Sequence, residues 1–439
     1  MLLHRRTAVV VLAALLLVSV YRFCSVGSGY GVPVWVRGDR NGDGEAMNGT
    51  LGFEKVFVIN LPSRRDRRDS MALAGVVSNL NFTFIRALTG ENAVLPAPLA
   101  LGNAAEDRTA TDFSHSASTG ARGSWGSHLS ALQSIVDLKL GSALVLEDDV
   151  DWDVRLKAQM RTFARASRTW LAIEQRKRPK AGPLLSSVSN IRGAIKTDVE
   201  GDAIALPPHV PLIDGGSRAR SASPYGDNWD VLWLGHCGAD LPTAQREARS
   251  RTPDSFSSSS SALKITIAND TTVPAPKHLQ PHPFALLDAL ADAYPAHTRV
   301  VHASRGNVCS LAYAVSQRGA RKLLRRFSED GFVAQWDLML RDYCSGEDEE
   351  QSRGMEQGRK DRESLICLTV QPPLISHRYE TGGGASVSDI RGQGGGFARE
   401  KMGTPYIRLS VQANLDRLLA GYPEERLVDQ LPDHGSALW

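Results

Sequence analysis

The chain has 439 residues, with 51 Lys and Arg against 48 Asp and Glu and a formal charge of +3. So slight a basic excess excludes a surface built for nucleic acid, and an apolar share of 42% beside 23% charged residues excludes a disordered or fibrous chain. The length supports a sizeable core, and the lack of an internal repeat excludes a solenoid or propeller.

His4-Arg5-Arg6 precede an uncharged run, rich in Val, Leu and Ala, from Thr7 to Tyr21, which Arg22 interrupts. A spanning helix needs about 20 apolar residues and a signal-peptide core about 7–15. The run is read as a signal anchor over 7–27 with Arg22 snorkelling to the headgroups. A cytoplasmic tail (1–6) precedes it and a Gly-rich stem (28–52) follows. A cleaved signal peptide, cut near Ser25 or Gly27, is the alternative. Either brings the chain into the secretory pathway: as a single-pass type II Golgi membrane protein with a lumenal domain, or else in the endoplasmic reticulum lumen or secreted. Asn48-Gly49-Thr50, Asn81-Phe82-Thr83 and Asn269-Asp270-Thr271 have the pattern of glycosylation acceptors. Beyond the anchor, Cys237, Cys309, Cys344 and Cys367 make an even set, which predicts two disulfides without choosing among the three pairings.

The folded part opens with an apolar, β-rich strand over 55–60. A helix with a basic start follows over 64–79, then a strand over 81–87. Residues 90–122 read as a loop. Ser124 is the expected cap of a helix over 125–139, ended by Gly141. A short buried strand over 143–146 leads into the acidic run Glu147-Asp148-Asp149-Val150-Asp151-Trp152-Asp153, and a helix resumes near Val154. The stretches 174–228 and 239–298, rich in Ser, Pro, Gly and Arg, read as inserted loops around a strand over 229–237. Core returns as a strand over 308–315, a helix capped by Ser316, a helix over 335–344 and a strand over 365–370. A short helix is expected within 409–418. Strand and helix alternate as in an α/β sheet.

Three carboxylates at a strand's end repel one another unless a cation offsets them, and ligands of open α/β sheets gather beyond the C-terminal strand ends. Glu147, Asp148 and Asp149 therefore suit Mn²⁺ or Mg²⁺ bridging the phosphates of a nucleotide sugar, or else form a solvated acidic turn before the next helix. Asn60-Leu61-Pro62-Ser63-Arg64-Arg65-Asp66-Arg67-Arg68 suits a diphosphate, or else a solvated basic helix face. His128 reads as a core histidine or a ligand. Asp337 reads as a buried base or a helix-start carboxylate. His236 and His377 are each compatible with a metal ligand and with a plain loop residue.

The ordered blocks Val56-Phe57-Val58-Ile59-Asn60-Leu61-Pro62-Ser63-Arg64-Arg65-Asp66-Arg67, Trp125-Gly126-Ser127-His128 and Ala143-Leu144-Val145-Leu146-Glu147-Asp148-Asp149 resemble glycosyltransferase family 25. The block Trp229-Asp230-Val231-Leu232-Trp233-Leu234-Gly235-His236-Cys237 is similar to a fungal-type branch of it. The resemblance implies a GT-A-type nucleotide-sugar-binding fold with a mixed central sheet over 53–395, large loop insertions, and a tail over 396–439. It implies an inverting, metal-dependent hexosyl transfer from a UDP-sugar, most often UDP-galactose, to a hydroxyl of a glycan or glycoprotein. By that analogy Asn60, Arg64, Arg67, His128, Glu147 and Asp148 border the donor. Asp149, Asp151 and His377 are the metal-ligand candidates for Mn²⁺ (or Mg²⁺), and Asp149-Val150-Asp151 leaves the register of the motif open. Asp337 is the first candidate for the general base and Asp230 the second. The other reading is an inactive, membrane-tethered glycan-binding or scaffold protein of the same fold.

Overall fold

The computed structural model describes residues 48–90, 118–176, 203–206, 223–242, 262–282, 285–346, 363–379, 389 and 403–437. The expected anchor over 7–27 lies outside them. Among the described residues no helix is long and apolar enough to cross a membrane.

In chain order the elements are β1 (Lys55–Asn60), α1 (Arg65–Val77), β2 (Phe82–Arg86), α2 (Thr119–Asp137), β3 (Ser142–Glu147), β4 (Val150–Trp152) and α3 (Leu156–Arg176). There follow β5 (Ala203–Ala205), β6 (Val231–Gly235), β7 (Lys264–Ile267), α4 (Leu290–Ala293), β8 (Arg299–Ala303), β9 (Ala312–Ser316), α5 (Gln317–Asp330), α6 (Trp336–Ser345), β10 (Cys367–Gln371), β11 (Ile375–His377) and α7 (Leu415–Leu419). The main sheet has the order β2-β1-β3-β9-β6-β10-β8-β7-β5, and β4 and β11 form a separate antiparallel pair. The sheet is mixed: β1 runs parallel to both β2 and β3, whereas β9 is antiparallel to β3 and β6.

Period-two alternation builds a three-layer core. Val56, Val58, Leu144, Leu146, Leu232 and Leu234 pack toward α1 and α3, against Met71, Met160, Phe163 and Trp170. Phe57, Val145, Trp233 and Tyr313 face the other layer, with Trp125 of α2, Phe327 of α5 and Trp336 of α6. Each such large apolar side chain contributes about 1.5–3 kcal/mol through burial.

The sequence reading departs from the structure at several elements. The α2 helix begins six residues earlier than expected, capped by Ser118, whose side chain accepts from the Ala121 amide. Gly120, at its start, falls in the stretch 90–122 that reads as loop. Gly123 is there for close packing, since a Cβ would come within 2.4 Å of the Leu88 carbonyl. Strand β8 was missed because Arg299 and His302 break its apolar pattern. Both are buried and satisfied, Arg299 by Asp270 at 2.7 Å and His302 by Gln371 at 2.8 Å. The two stretches read as inserted loops supply strands β5 and β7, and the fully buried Tyr225, stacked on Phe53 at 4.7 Å. The cysteines pair as Cys237–Cys309 and Cys344–Cys367, giving the two disulfides expected.

Candidate functional site

Strands β1 and β3 lie side by side and parallel, with Ile59 opposite Glu147, so Asn60 and the acidic turn after Glu147 emerge together at one sheet edge. The Asn60 side-chain amide donates to the Arg64 carbonyl at 3.0 Å and to Asp148 Oδ2 at 2.7 Å, tying the first loop to the turn. Arg67, in the first turn of α1, places one guanidinium nitrogen 3.0 Å from both Asp148 Oδ1 and Asp149 Oδ2. Arg64 pairs with Asp66 and, at 2.6 Å, with Asp389.

On the far side of the turn, β11 runs antiparallel to β4 with His377 opposite Val150. Here His377 Nε2 lies 3.4 Å from Asp149 Oδ2, and the Arg378 amide donates to the Asp149 carbonyl at 2.9 Å. Gly235 admits this approach, since a Cβ there would sit 2.8 Å from the Ile375 carbonyl.

The electrostatics divide the two neighbouring aspartates. Burial pushes the Asp148 carboxyl up, the adjacent Asp149 charge adds to this, and its pKa stands at about 6 despite Arg67 and Asn60. Burial would raise Asp149 as well, but His377 and Arg67 outweigh it and hold that carboxyl below its usual range. Burial disfavours the Arg67 cation, and Asp149 and Asp148 more than compensate, so its pKa is raised.

Glu147 faces a second group. Ser310 Oγ donates to Glu147 Oε1 at 2.8 Å, and His128 Nε2 stands 3.7 Å from the same oxygen. His128 is 2% exposed, stacked on Trp336 with centroids 4.8 Å apart and hydrogen-bonded to the Tyr313 hydroxyl at 2.8 Å. It backs Glu147. Asp337, half-buried in the first turn of α6, accepts from the Cys309 amide at 2.8 Å, one residue from the Ser310 contact.

Two expected residues lie elsewhere. Asp151 is fully buried, and its oxygens accept from the Trp152 and Gln412 amides and from the Thr404 and Ser410 hydroxyls. A carboxylate has about four lone-pair sites, and these fill them, so no room is left for a metal ion. With Asp153, which accepts from Arg155 and the Leu409 amide, it staples the C-terminal segment to β4. The run 147–153 is thus two devices: its first three carboxylates face the site, and Asp151 and Asp153 hold structure. Asp230 precedes β6, which runs parallel to β3 through their shared neighbour β9, so it sits at the opposite sheet edge. It is fully buried and paired with Arg318 at 2.8 Å and Lys322 at 3.2 Å, a structural carboxylate and not a base. His236 is buried too, with Nε2 on the Val370 carbonyl at 2.9 Å.

The sequence reading missed Ser310, Tyr313 and Trp336 behind Glu147. It also missed Arg378, which reaches Ser70 at 2.7 Å and Gln412 at 2.9 Å and ties α1 to the C-terminal segment. Tyr313 and Trp336 carry the signature of core, and a lone serine carries none.

Residues 53–180 match the family described as Glycosyltransferase family 25 (LPS biosynthesis protein). Procollagen galactosyltransferase 2 of Homo sapiens is 26% identical over 182 residues, covering 40% of this chain and 29% of the human protein. Procollagen galactosyltransferase 2 of Mus musculus is 27% identical over 187 residues, with the same coverage of 40% and 29%. The chain thus spans under a third of the length of these curated relatives. These matches support an assignment to glycosyltransferase family 25.

Proposed function

With family 25 as its premise, we propose that this chain is a GT-A-type, inverting glycosyltransferase that moves a hexose, galactose first among the candidates, from a UDP-sugar to a hydroxyl of a glycan or glycoprotein. The observation that carries this reading is the convergence of Asn60, Arg67, Asp148, Asp149 and His377 at the C-terminal edge of β1 and β3, inside and beside the segment that matches the family. An expected anchor over 7–27 and two disulfides support placement in the secretory pathway, with the Golgi membrane as the first candidate.

Among the described residues no group of three or more His, Cys, Asp and Glu side chains is arranged to hold a metal ion. Asp149 and His377 are nevertheless suited to Mn²⁺ or Mg²⁺ as a pair. Asp149 Oδ1 and His377 Nδ1 are buried with no hydrogen-bond partner, so these two residues would hold the ion and oxygens of the donor's diphosphate would complete its ligands. The bound ion would offset charge on the departing diphosphate. Arg67 holds the two aspartates together. Asp337 takes the proton of the acceptor hydroxyl. That oxygen bonds to the anomeric carbon from the face opposite the departing UDP, so configuration inverts.

The test is UDP release by the purified chain against a panel of UDP-sugars, with and without Mn²⁺, beside Asp149→Ala. Metal-dependent release from one donor, lost in the variant, is the expected result. Failure of UDP to bind in a calorimeter, together with no release from any donor, would leave the tethered glycan-binding reading in its place.

A further inference from the structure

The segment 307–311 carries no charged side chain, yet it holds the two carboxylates that Arg67 does not reach. The Cys309 amide donates to Asp337 Oδ2 at 2.8 Å, Ser310 Oγ donates to Glu147 Oε1 at 2.8 Å, and the Glu147 amide donates to the Leu311 carbonyl at 3.0 Å. Three consecutive residues therefore set the spacing between a group on β3 and a group on α6.

The segment is itself fixed from behind. Cys309 is disulfide-bonded to Cys237, just past β6. The Cys237 amide donates to the Val308 carbonyl at 2.8 Å and the Val308 amide to the Gly238 carbonyl at 3.2 Å. The Trp233 indole donates to the Cys309 carbonyl at 3.1 Å. Cys309 is held at a φ of +64°, a conformation that a residue with a side chain adopts only where its surroundings impose it. Both cysteines of this bridge are half-buried and open to a small reductant. The other bridge enters β10 at its first residue, Cys367. Since β10 runs parallel to β6, that residue lies at the sheet edge away from the site.

We infer that Ser310 and the Cys237–Cys309 disulfide are positioning elements for Glu147 and Asp337, so that reducing this one bridge slows turnover without releasing nucleotide. The inference rests on the transferase reading above. Asn60, Arg67, Asp148 and Asp149 are held by β1, α1 and one another, and they keep the nucleotide when the bracket at 307–311 loosens. The redox step is a thiol–disulfide exchange: a dithiol supplies two electrons and two protons, leaves Cys237 and Cys309 as thiols, and closes to its own cyclic disulfide.

The experiment uses the full chain and measures kcat and KM for UDP release, UDP affinity by calorimetry, and the response to dithiothreitol. The variants are Ser310→Ala, the pair Cys237→Ala with Cys309→Ala, and as control the pair Cys344→Ala with Cys367→Ala. Ser310→Ala is expected to lower kcat about tenfold, the order of one hydrogen bond to a charged group, with UDP affinity within about twofold of the wild type. The Cys237/Cys309 variant is expected to match or exceed that loss and to ignore dithiothreitol. The control pair is expected to remain as sensitive to dithiothreitol as the wild type. An unchanged kcat in Ser310→Ala, or a kcat that falls in step with UDP affinity, overturns the inference. If the Cys237/Cys309 variant does not fold, the Cys344/Cys367 variant, which keeps only the Cys237–Cys309 bridge, decides that half, since a kcat indifferent to dithiothreitol overturns it, and Ser310→Ala decides the other. A wild type that neither binds UDP nor releases it removes the transferase reading and this inference with it, whereas turnover that is indifferent to Ser310→Ala removes the inference only.

Discussion

Asp151→Ala removes a carboxylate whose oxygens take four hydrogen bonds in a site closed to solvent. The Thr404 and Ser410 hydroxyls can turn to other partners. The Trp152 and Gln412 amides cannot, and each buried orphan donor costs about 1–3 kcal/mol. Against this stands a relief: burial pushes the Asp151 carboxyl up, so its charge is itself disfavoured there. The expected loss is about 3 kcal/mol. Asp151→Asn keeps one carbonyl oxygen for both amides and offers its NH₂ to the hydroxyls, so its cost is about 1 kcal/mol. Urea unfolding followed by tryptophan fluorescence reads both, since Trp152 lies beside the change and donates to Ser78 at 2.9 Å. Titration of UDP in the presence of Mn²⁺ is the companion assay. Asp151→Asn is expected to bind UDP within about twofold of the wild type, whereas Asp149→Ala is expected to weaken metal-dependent binding by at least about tenfold, one direct contact to the ion being lost. If Asp151→Asn abolished metal-dependent binding while its urea midpoint stayed put, the assignment of Asp151 to structure and Asp149 to the site would be refuted.

Other expectations follow from the same geometry. Arg67→Met leaves Asp148 and Asp149 adjacent with no guanidinium between them. It is expected to cost about 2–4 kcal/mol and to make the melting temperature more responsive to Mn²⁺ than in the wild type. Asp230→Ala takes one of its partners from Lys322 and the partner from the Ile366 amide. It is expected to destabilise by about 2–4 kcal/mol with kcat within about twofold in the molecules that remain folded, and a specific collapse of kcat would count against its structural role. Burial depresses the pKa of His236 to about 4 and lowers that of His302 as well. The unfolded chain therefore binds more protons between about pH 6.5 and pH 4, so this part of the stability is present above pH 6.5 and is lost as pH falls toward 4. His236→Asn is expected to remove on the order of 2 kcal/mol from the loss seen between pH 7 and pH 5, measured as the difference in urea midpoints.

The sequence by itself determined the strands β1, β3 and β6, because each is a short apolar run buried on both faces and needs no partner to declare itself. It determined that the loop after β1 and the turn after β3 carry the polar groups, since charge at the end of such a run can only face the sheet edge. It determined the even cysteine count but not the pairing. What it could not decide was which carboxylate looks where. Asp149 and Asp151 are two residues apart and chemically alike, and their fates are set by residues more than two hundred positions away: His377 beside one, Thr404, Ser410 and Gln412 around the other. Asp230 read as a base because a buried carboxylate looks the same in sequence whether it meets a substrate or Arg318 and Lys322. Ser310 was silent because a single hydroxyl gains meaning only from the carboxylate brought to it. Local pattern follows from backbone period and transfer free energy, which neighbouring residues carry. The surroundings of a charge follow from chain crossings, which only the tertiary structure fixes.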